Sequence, residues 1–251
     1  QRGAFVTARA RAAASEAAGQ VSARTVKFFA DGVIEAGTAA LLEPYDDAPH
    51  SCGLPVWEPA ELAAAATAFD VDGFQLHIHA IGDAGVRAAL GVVANFEPLW
   101  TQLDAVQTEL TLPRLGTARG ARQYPMASLL ASGAVLSMGS DWPVSSHRPL
   151  SGLPVAVTRQ TPAGLPGAGW IPRERLPPES ALAAYSSGVA YQAGEERLWG
   201  SVSVGKRADL VWLEADPLVV EPAGWPQLRV LGTWLGGRAT WRRQQLRSRY
   251  R

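Results

Sequence analysis

Between Thr25 and Ala193 short β-prone runs alternate with helical stretches, and this alternation constrains the fold more than any other feature of the chain. Strands separated by helices pair in parallel, with each helix serving as the crossover. The β-prone runs are 25–29, 74–80, 92–96 and 134–138, and the helical stretches are 4–18, 58–69, 82–90, 125–132 and 179–193. Glu58-Pro59 opens the second helix, because Pro suits the first turn and a carboxylate suits the positive end of the helix dipole. Two segments without periodicity, 33–57 and 160–178, read as long loops. From Trp199 the texture changes to short runs at 210–213, 229–235 and 239–242, separated by Gly and Pro. The expected organisation is therefore an α/β body over 1–198 followed by a small all-β segment with a basic tail over 199–251.

Composition narrows the function classes. The 251 residues are 47% hydrophobic and 18% charged, which is a globular balance. Lys+Arg and Asp+Glu are both 23, so there is no basic excess of the kind nucleic-acid binders carry. One cysteine, Cys52, excludes an internal disulfide framework and any cysteine-rich zinc module. No run of 18 apolar residues suggests a membrane span. The first twenty residues lack the apolar core of a signal peptide, so a soluble, cytoplasmic protein is expected. There is no initiator Met, which leaves the native amino terminus open.

In parallel βα folds the chemistry sits at the carboxyl ends of the strands. Three such ends carry suitable residues: Lys27 with Asp31, His77 with His79 and Asp83, and Ser140 with Asp141. His77 and His79 are two apart on a strand, so both imidazoles project from one face. Two imidazoles on one face suit zinc or a similar divalent metal, and they equally suit a pair satisfied by backbone or carboxylate. Of the two, His79 is the better ligand candidate because it lies nearer the strand end. Asp141, in Gly-Ser-Asp-Trp-Pro, can ligate metal or accept a proton from a metal-bound water, or it can cap a turn. Lys27 stands inside an apolar run and needs a partner; Asp31 is the default one, and a carbamate bridging two metals is another option. Asp31 and Asp83 read as caps or as supporting partners of ligands, and Trp142 as a pocket residue.

These residues also carry a resemblance. Val26-Lys27-Phe28-Phe29-Ala30-Asp31-Gly32, the run from Thr38 to Tyr45, His79-Ala80-Ile81-Gly82-Asp83-Ala84, Gly139-Ser140-Asp141-Trp142-Pro143-Val144, the helix at 179–190 and Gly205-Lys206-Arg207-Ala208-Asp209-Leu210-Val211 resemble amidohydrolase family 3. Within it they look most like the branch containing N-substituted formamide deformylase. The resemblance implies a partial (β/α)8 TIM barrel of metal-dependent hydrolase type with a small carboxyl-terminal β-sandwich segment. It implies a divalent metal, zinc above others, held by His79, Lys27 and Asp141, with Lys27 carboxylated in related binuclear sites. Asp141 and Lys27 would be the catalytic residues, and His77, Asp31, Asp83 and Trp142 would support them or line the pocket. The two long loops would also line it, with Trp57, Leu165 and Trp170 available for an apolar wall. The implied reaction is hydrolysis of an amide- or formamide-type C–N bond in a small-molecule substrate.

The chain departs from that pattern in two places. It begins near the helix before the family's fourth strand, so the first-strand His-x-His has no counterpart. Leu90 then runs into 91–96, which looks like the seventh strand, so one βα unit of ~30 residues appears skipped. Three readings follow: a competent hydrolase, a truncated inactive relative, or a chain that completes a barrel with another copy or chain as an oligomer.

Overall fold

A computed structural model describes residues 2–15, 21–89 and 93–243. The expected junction at 90–92 lies outside the described residues. The chain divides into two compact units, one formed by Gln1–Val92 with Thr108–Gly120, the other by Val93–Gln107 with Ala121–Arg251. The expected boundary at 198/199 falls inside the second unit, where the secondary structure changes from α/β to antiparallel β.

The first unit runs α1 (Arg2–Ala13), β1 (Thr25–Phe29), α2 (Pro59–Val71), β2 (Gln75–His79), α3 (Asp83–Ala88) and, from the later segment, α4 (Leu112–Gly120). β1 and β2 pair in parallel and in register from Thr25↔Gln75 to Phe29↔His79. Period-two alternation gives β1 an apolar face, Val26 and Phe28, that is buried, and an opposite face that is exposed. α2 starts with Pro59 after Glu58, as the sequence predicts, and buries Leu62 and Phe69. Those two side chains meet Val26, Phe28 and Phe74, with Leu76, Ile78 and Trp57 around them. The rings pack edge to face, Phe28–Phe69 at 5.9 Å and Phe69–Phe74 at 5.7 Å between centroids, the arrangement ring quadrupoles favour.

The long loop 33–57 has its own core. Ile34, Ala39, Leu41 and Tyr45 bury against Leu115 of α4. Tyr45 Oη donates to the Ala39 carbonyl at 2.8 Å. Arg119 of α4 donates to the carbonyls of Glu43 at 3.0 Å and Pro44 at 2.9 Å and pairs with Asp46 at 2.7 Å. A loop of this length is thus packed by its own side chains and clasped by a helix from later in the chain.

The second unit contains β3 (Ala94–Phe96), α5 (Met126–Ala131), β4 (Leu136–Met138), α6 (Pro149–Thr158), α7 (Pro178–Ala184), α8 (Ser187–Gln192) and the strands β5 (Leu210–Leu213), β6 (Val230–Leu235) and β7 (Arg238–Arg242). β3 and β4 pair in parallel from Ala94↔Leu136 to Phe96↔Met138. The core gathers Met126, Leu136, Met138, Leu153, Ala156, Leu176, Ala181, Ala184, Trp225 and Leu228. Trp225 is fully buried and donates its indole N–H to the Val220 carbonyl at 2.9 Å, so its polar edge is satisfied. The expected all-β segment is a three-stranded antiparallel sheet in the order β5-β6-β7, with a two-residue turn at Gly236-Gly237. Among the described residues no helix is long and apolar enough to cross a membrane.

Two expectations are revised. The first helix ends at Ala13. The helix expected over 179–193 is two helices, α7 and α8, because the backbone turns out of helical geometry at Ser186. The break lets α8 approach β4 closely: a Cβ on Gly188 would lie 2.0 Å from the Leu136 carbonyl oxygen. Glycine is therefore required there by space. Gly188→Ala is expected to destabilise the protein by about 1–3 kcal/mol, the range for overpacking, read as a lower urea midpoint at unchanged slope.

Candidate functional site

The alternation that buries Val26 and Phe28 turns Thr25, Lys27 and Phe29 to the other side of the sheet, and the parallel register sets Gln75, His77 and His79 beside them. The sequence-predicted Lys27, His77 and His79 thus share one polar face. Register places Lys27 across from His77, not His79. Lys27 Nζ lies 3.1 Å from His77 Nε2. An ammonium has only protons to give, so the imidazole nitrogen accepts and the His77 ring proton sits on Nδ1. Lys27 also lies over the Phe29 ring, 5.2 Å from its centroid. His79 Nε2 is 2.9 Å from the Gly32 carbonyl oxygen. A carbonyl only accepts, so Nε2 carries a proton and Nδ1 is the ring nitrogen left for other partners.

Asp31 is neither the salt-bridge partner of Lys27 that the sequence suggests by default nor a pocket residue. It is buried, and its carboxylate receives three backbone amides: Ile81 at 3.0 Å, Gly82 at 2.7 Å and Ala40 at 2.9 Å. Ile81 and Gly82 follow the end of β2 and Ala40 returns from the long loop, and the carboxylate satisfies all three amides. Asp83 is the first residue of α3, whose N-cap is Gly82; its carboxylate accepts from Ala84 N at 3.0 Å and from Leu42 N at 2.8 Å, tying the long loop to the helix.

Asp141 belongs to the second unit. It follows β4, is exposed, and adopts a left-handed backbone conformation with φ 49°. That region costs a non-glycine residue about 1–3 kcal/mol and persists where neighbours over-determine it. Trp142 beside it is 67% exposed, so it is not a buried pocket wall.

Sequence reasoning missed a polar row under this turn. Asn95 Nδ2 donates to Glu97 Oε1 at 2.8 Å, and buried Ser137 Oγ approaches Asn95 Oδ1 at 2.8 Å and Gln192 Oε1 at 2.5 Å. Tyr185 Oη donates to the Gly139 carbonyl at 3.0 Å. Burial, and secondarily the Glu97 carboxylate, push the Tyr185 hydroxyl up to about 12, so it remains a donor at neutral pH. Asn95 and Glu97 are two apart at a strand end, the same signal that picked out His77 and His79, but β3 has three residues and shows little alternation.

The expected apolar pocket wall is redistributed. Trp57 packs on Phe28, the face opposite Lys27, with ring centroids 5.9 Å apart. Trp170 stacks on buried Arg159, whose guanidinium is 5.2 Å from its ring, and Arg159 Nε donates to the Trp170 carbonyl at 3.0 Å. Burial lowers the Arg159 pKa to about 10, which leaves it charged at neutral pH. Leu165 is 62% exposed.

A metal of the expected kind needs several nitrogen or carboxylate donors in one place. On the Lys27 face, His77 Nε2 already receives Lys27, the ammonium has no lone pair, and His79 offers Nδ1. Among the described residues no group of three or more His, Cys, Asp or Glu could hold a metal ion. The donors among the described residues do not fit a resident metal.

The profile of the Amidohydrolase family matches residues 4–98 and 87–240. Protein LONG AFTER FAR-RED 3 of Arabidopsis thaliana is 31% identical over 256 residues, covering 85% of this chain and 42% of that protein. N-substituted formamide deformylase of Arthrobacter pascens is 33% identical over 114 residues, covering 45% of this chain and 20% of that protein. Among solved structures, an uncharacterized metal-dependent hydrolase from Pyrococcus horikoshii superposes with a TM-score of 0.68 at 26% identity, covering 78% of this chain and 45% of the other. The chain spans less than half the length of the curated relatives it matches.

The carboxylate of Asp31 gives a direct test of the local architecture. Asp31→Asn retains one acceptor oxygen and turns an N–H₂ group toward amide donors. It is expected to cost about 2–3 kcal/mol of stability, measured by chemical denaturation.

Proposed function

Because the chain belongs to the amidohydrolase family, we propose that it serves hydrolysis of a carbon–nitrogen bond of amide or formamide type in a small neutral substrate. The observation that carries this reading is the Lys27, His77 and His79 group on one face of a parallel strand pair, turned away from the core. Chemistry in parallel βα folds sits at the carboxyl ends of the strands, and His79 is the last residue of β2. In the first unit, the Lys27 ammonium offers positive charge to the oxyanion that develops as a carbonyl is attacked. His79, held by the Gly32 carbonyl, presents a fixed acceptor nitrogen. The second unit carries a separate acid–base candidate: its exposed Asp141 carboxylate is suited to take a proton from an attacking water and return it to a leaving nitrogen. The metal that the family resemblance implies finds no matching donor set among the described residues, so weak or no zinc binding is expected of this chain by itself. The likeness to a deformylase that acts, by its name, on N-substituted formamides supports the substrate class.

One observation favours a second reading, in which the chain completes its barrel with another copy or chain. Parallel sheets are ordinarily covered on both faces, and here β1 has an exposed face that includes Phe29, 53% accessible.

The test is a steady-state assay, with excess zinc, of N-substituted formamides against charged N-acyl amino acids, alongside size-exclusion chromatography and zinc analysis. The expected result is a monomer with less than stoichiometric zinc that prefers the formamides. Asp141→Asn should lower kcat by about 10²–10⁴, the usual contribution of a positioned acid–base group. Preference for the charged substrates would overturn the substrate class. Absence of turnover in a monomer would overturn the hydrolase reading, and a stable oligomer would establish the second one.

A further inference from the structure

The turn that carries Asp141 is held by hydrogen bonds at three successive residues. Gly139 N donates to the Phe96 carbonyl at 3.0 Å, and Tyr185 Oη donates to the Gly139 carbonyl at 3.0 Å. Ser145 Oγ donates to the Ser140 carbonyl. Val144 N donates to the Asp141 carbonyl at 2.8 Å. Two of these four donors are side-chain hydroxyls, and both act on the residues immediately before Asp141. The Asp141 carboxylate itself stays exposed at φ 49°.

Packing does not account for the Tyr185 hydroxyl. The Tyr185 ring packs against the core of the second unit, a role phenylalanine would fill with the same ring. A hydroxyl placed there must be given a partner, since burying it unpaired is costly. The fold makes room for it. Helix α7 ends just before Tyr185, the chain leaves helical geometry at Ser186, and a Cβ on Gly152 of α6 would lie 2.8 Å from the hydroxyl oxygen. Gly152 of α6 thus leaves space for one oxygen whose bond goes to the Asp141 turn.

We propose that Tyr185, with Ser145, is a positioning residue for Asp141: their hydroxyls clamp the Gly139 and Ser140 carbonyls and so hold Asp141 in its left-handed conformation with the carboxylate presented outward. The consequence for turnover rests on Asp141 acting as the proton-transfer group of the proposed hydrolase. The clamp itself does not. Without the hydroxyls, Asp141 relaxes toward an ordinary backbone region and its carboxylate moves off the position it needs.

The experiment compares wild type with Tyr185→Phe, Ser145→Ala and, as a control, the exposed Tyr191→Phe. Hydrogen–deuterium exchange of the 139–145 segment is read against the β6 segment 230–235, and kcat and KM are measured with the preferred formamide in excess zinc. For Tyr185→Phe the expected result is about tenfold faster exchange in 139–145 with the β6 segment unchanged. Turnover should show about tenfold lower kcat with KM within about twofold, the pattern of a displaced catalytic group rather than a lost binding contact. Ser145→Ala should shift both in the same direction and decides the matter if Tyr185→Phe does not fold. Tyr191→Phe should match wild type. Unchanged exchange in 139–145, or acceleration spread equally over both segments, overturns the clamp whatever the activity. Local acceleration with kcat unchanged overturns the positioning role. Local acceleration in a protein whose wild type has no turnover supports the clamp and overturns the hydrolase reading instead.

Discussion

The Asp31 carboxylate fixes the end of the first parallel strand pair. Where a strand stops, its following amides lose their ladder partners, and burying them unpaired is costly. Asp31 takes the amides of Ala40, Ile81 and Gly82 together, joining the return of the long loop to the exit of β2. Convergent amide dipoles offset the cost of burying the charge in place of a counter-cation. The polar face inherits its geometry from this arrangement. His79 is oriented by the carbonyl of Gly32, the residue next to Asp31, and Asp83 then captures Leu42 from the same loop.

The second unit meets the complementary problem. The exit of β4 leaves carbonyls rather than amides to be satisfied, and hydroxyl donors from Tyr185 and Ser145 supply them. This difference decides what each aspartate can do. Asp31 uses both oxygens for the backbone and has become structural. Asp141 sits in a turn held by its neighbours, so its carboxylate carries no such duty. Two Asp residues in similar strand-end positions, alike when read along the chain, divide into a structural anchor and a candidate reactive group by the polarity of the backbone around them.

Much of the first unit was legible in the sequence because strand alternation is a local property. The runs 25–29 and 74–79 place their apolar and polar residues on the expected faces, and Glu58-Pro59 starts α2 where read. The role of Asp31 was not legible, because two of its three amides lie 50 and 51 residues away in sequence. Lys27 finds His77 at the same separation of 50, a consequence of register that composition does not encode. Helix α6 escaped because Pro154 and Gly152 discourage a helix locally, while burial of Leu153, Val155 and Ala156 overrides that preference. The long loops misled in the opposite direction. Trp57 and Trp170 looked available for a pocket because no periodicity assigned them a side, and each instead packs into the interior of its own unit.

A two-stranded parallel sheet is marginal without a covering layer. In the first unit that layer is α2 with its aromatic neighbours, and it covers one face of β1 and β2. The fully buried side chains therefore lie on the Val26 and Phe28 side, while on the other side His77 and His79 are half-buried and Lys27 and His79 pack on the Phe29 ring. Such a division lets the residues on the polar face be chosen for chemistry, since replacing them removes little buried apolar area. It also confines sensitivity to function-altering change and sensitivity to unfolding to opposite faces of the same two strands. The exception is the strand end, where His79 is tied through Gly32 to the Asp31 anchor, and where the geometry of the polar face and the stability of the unit depend on the same carboxylate.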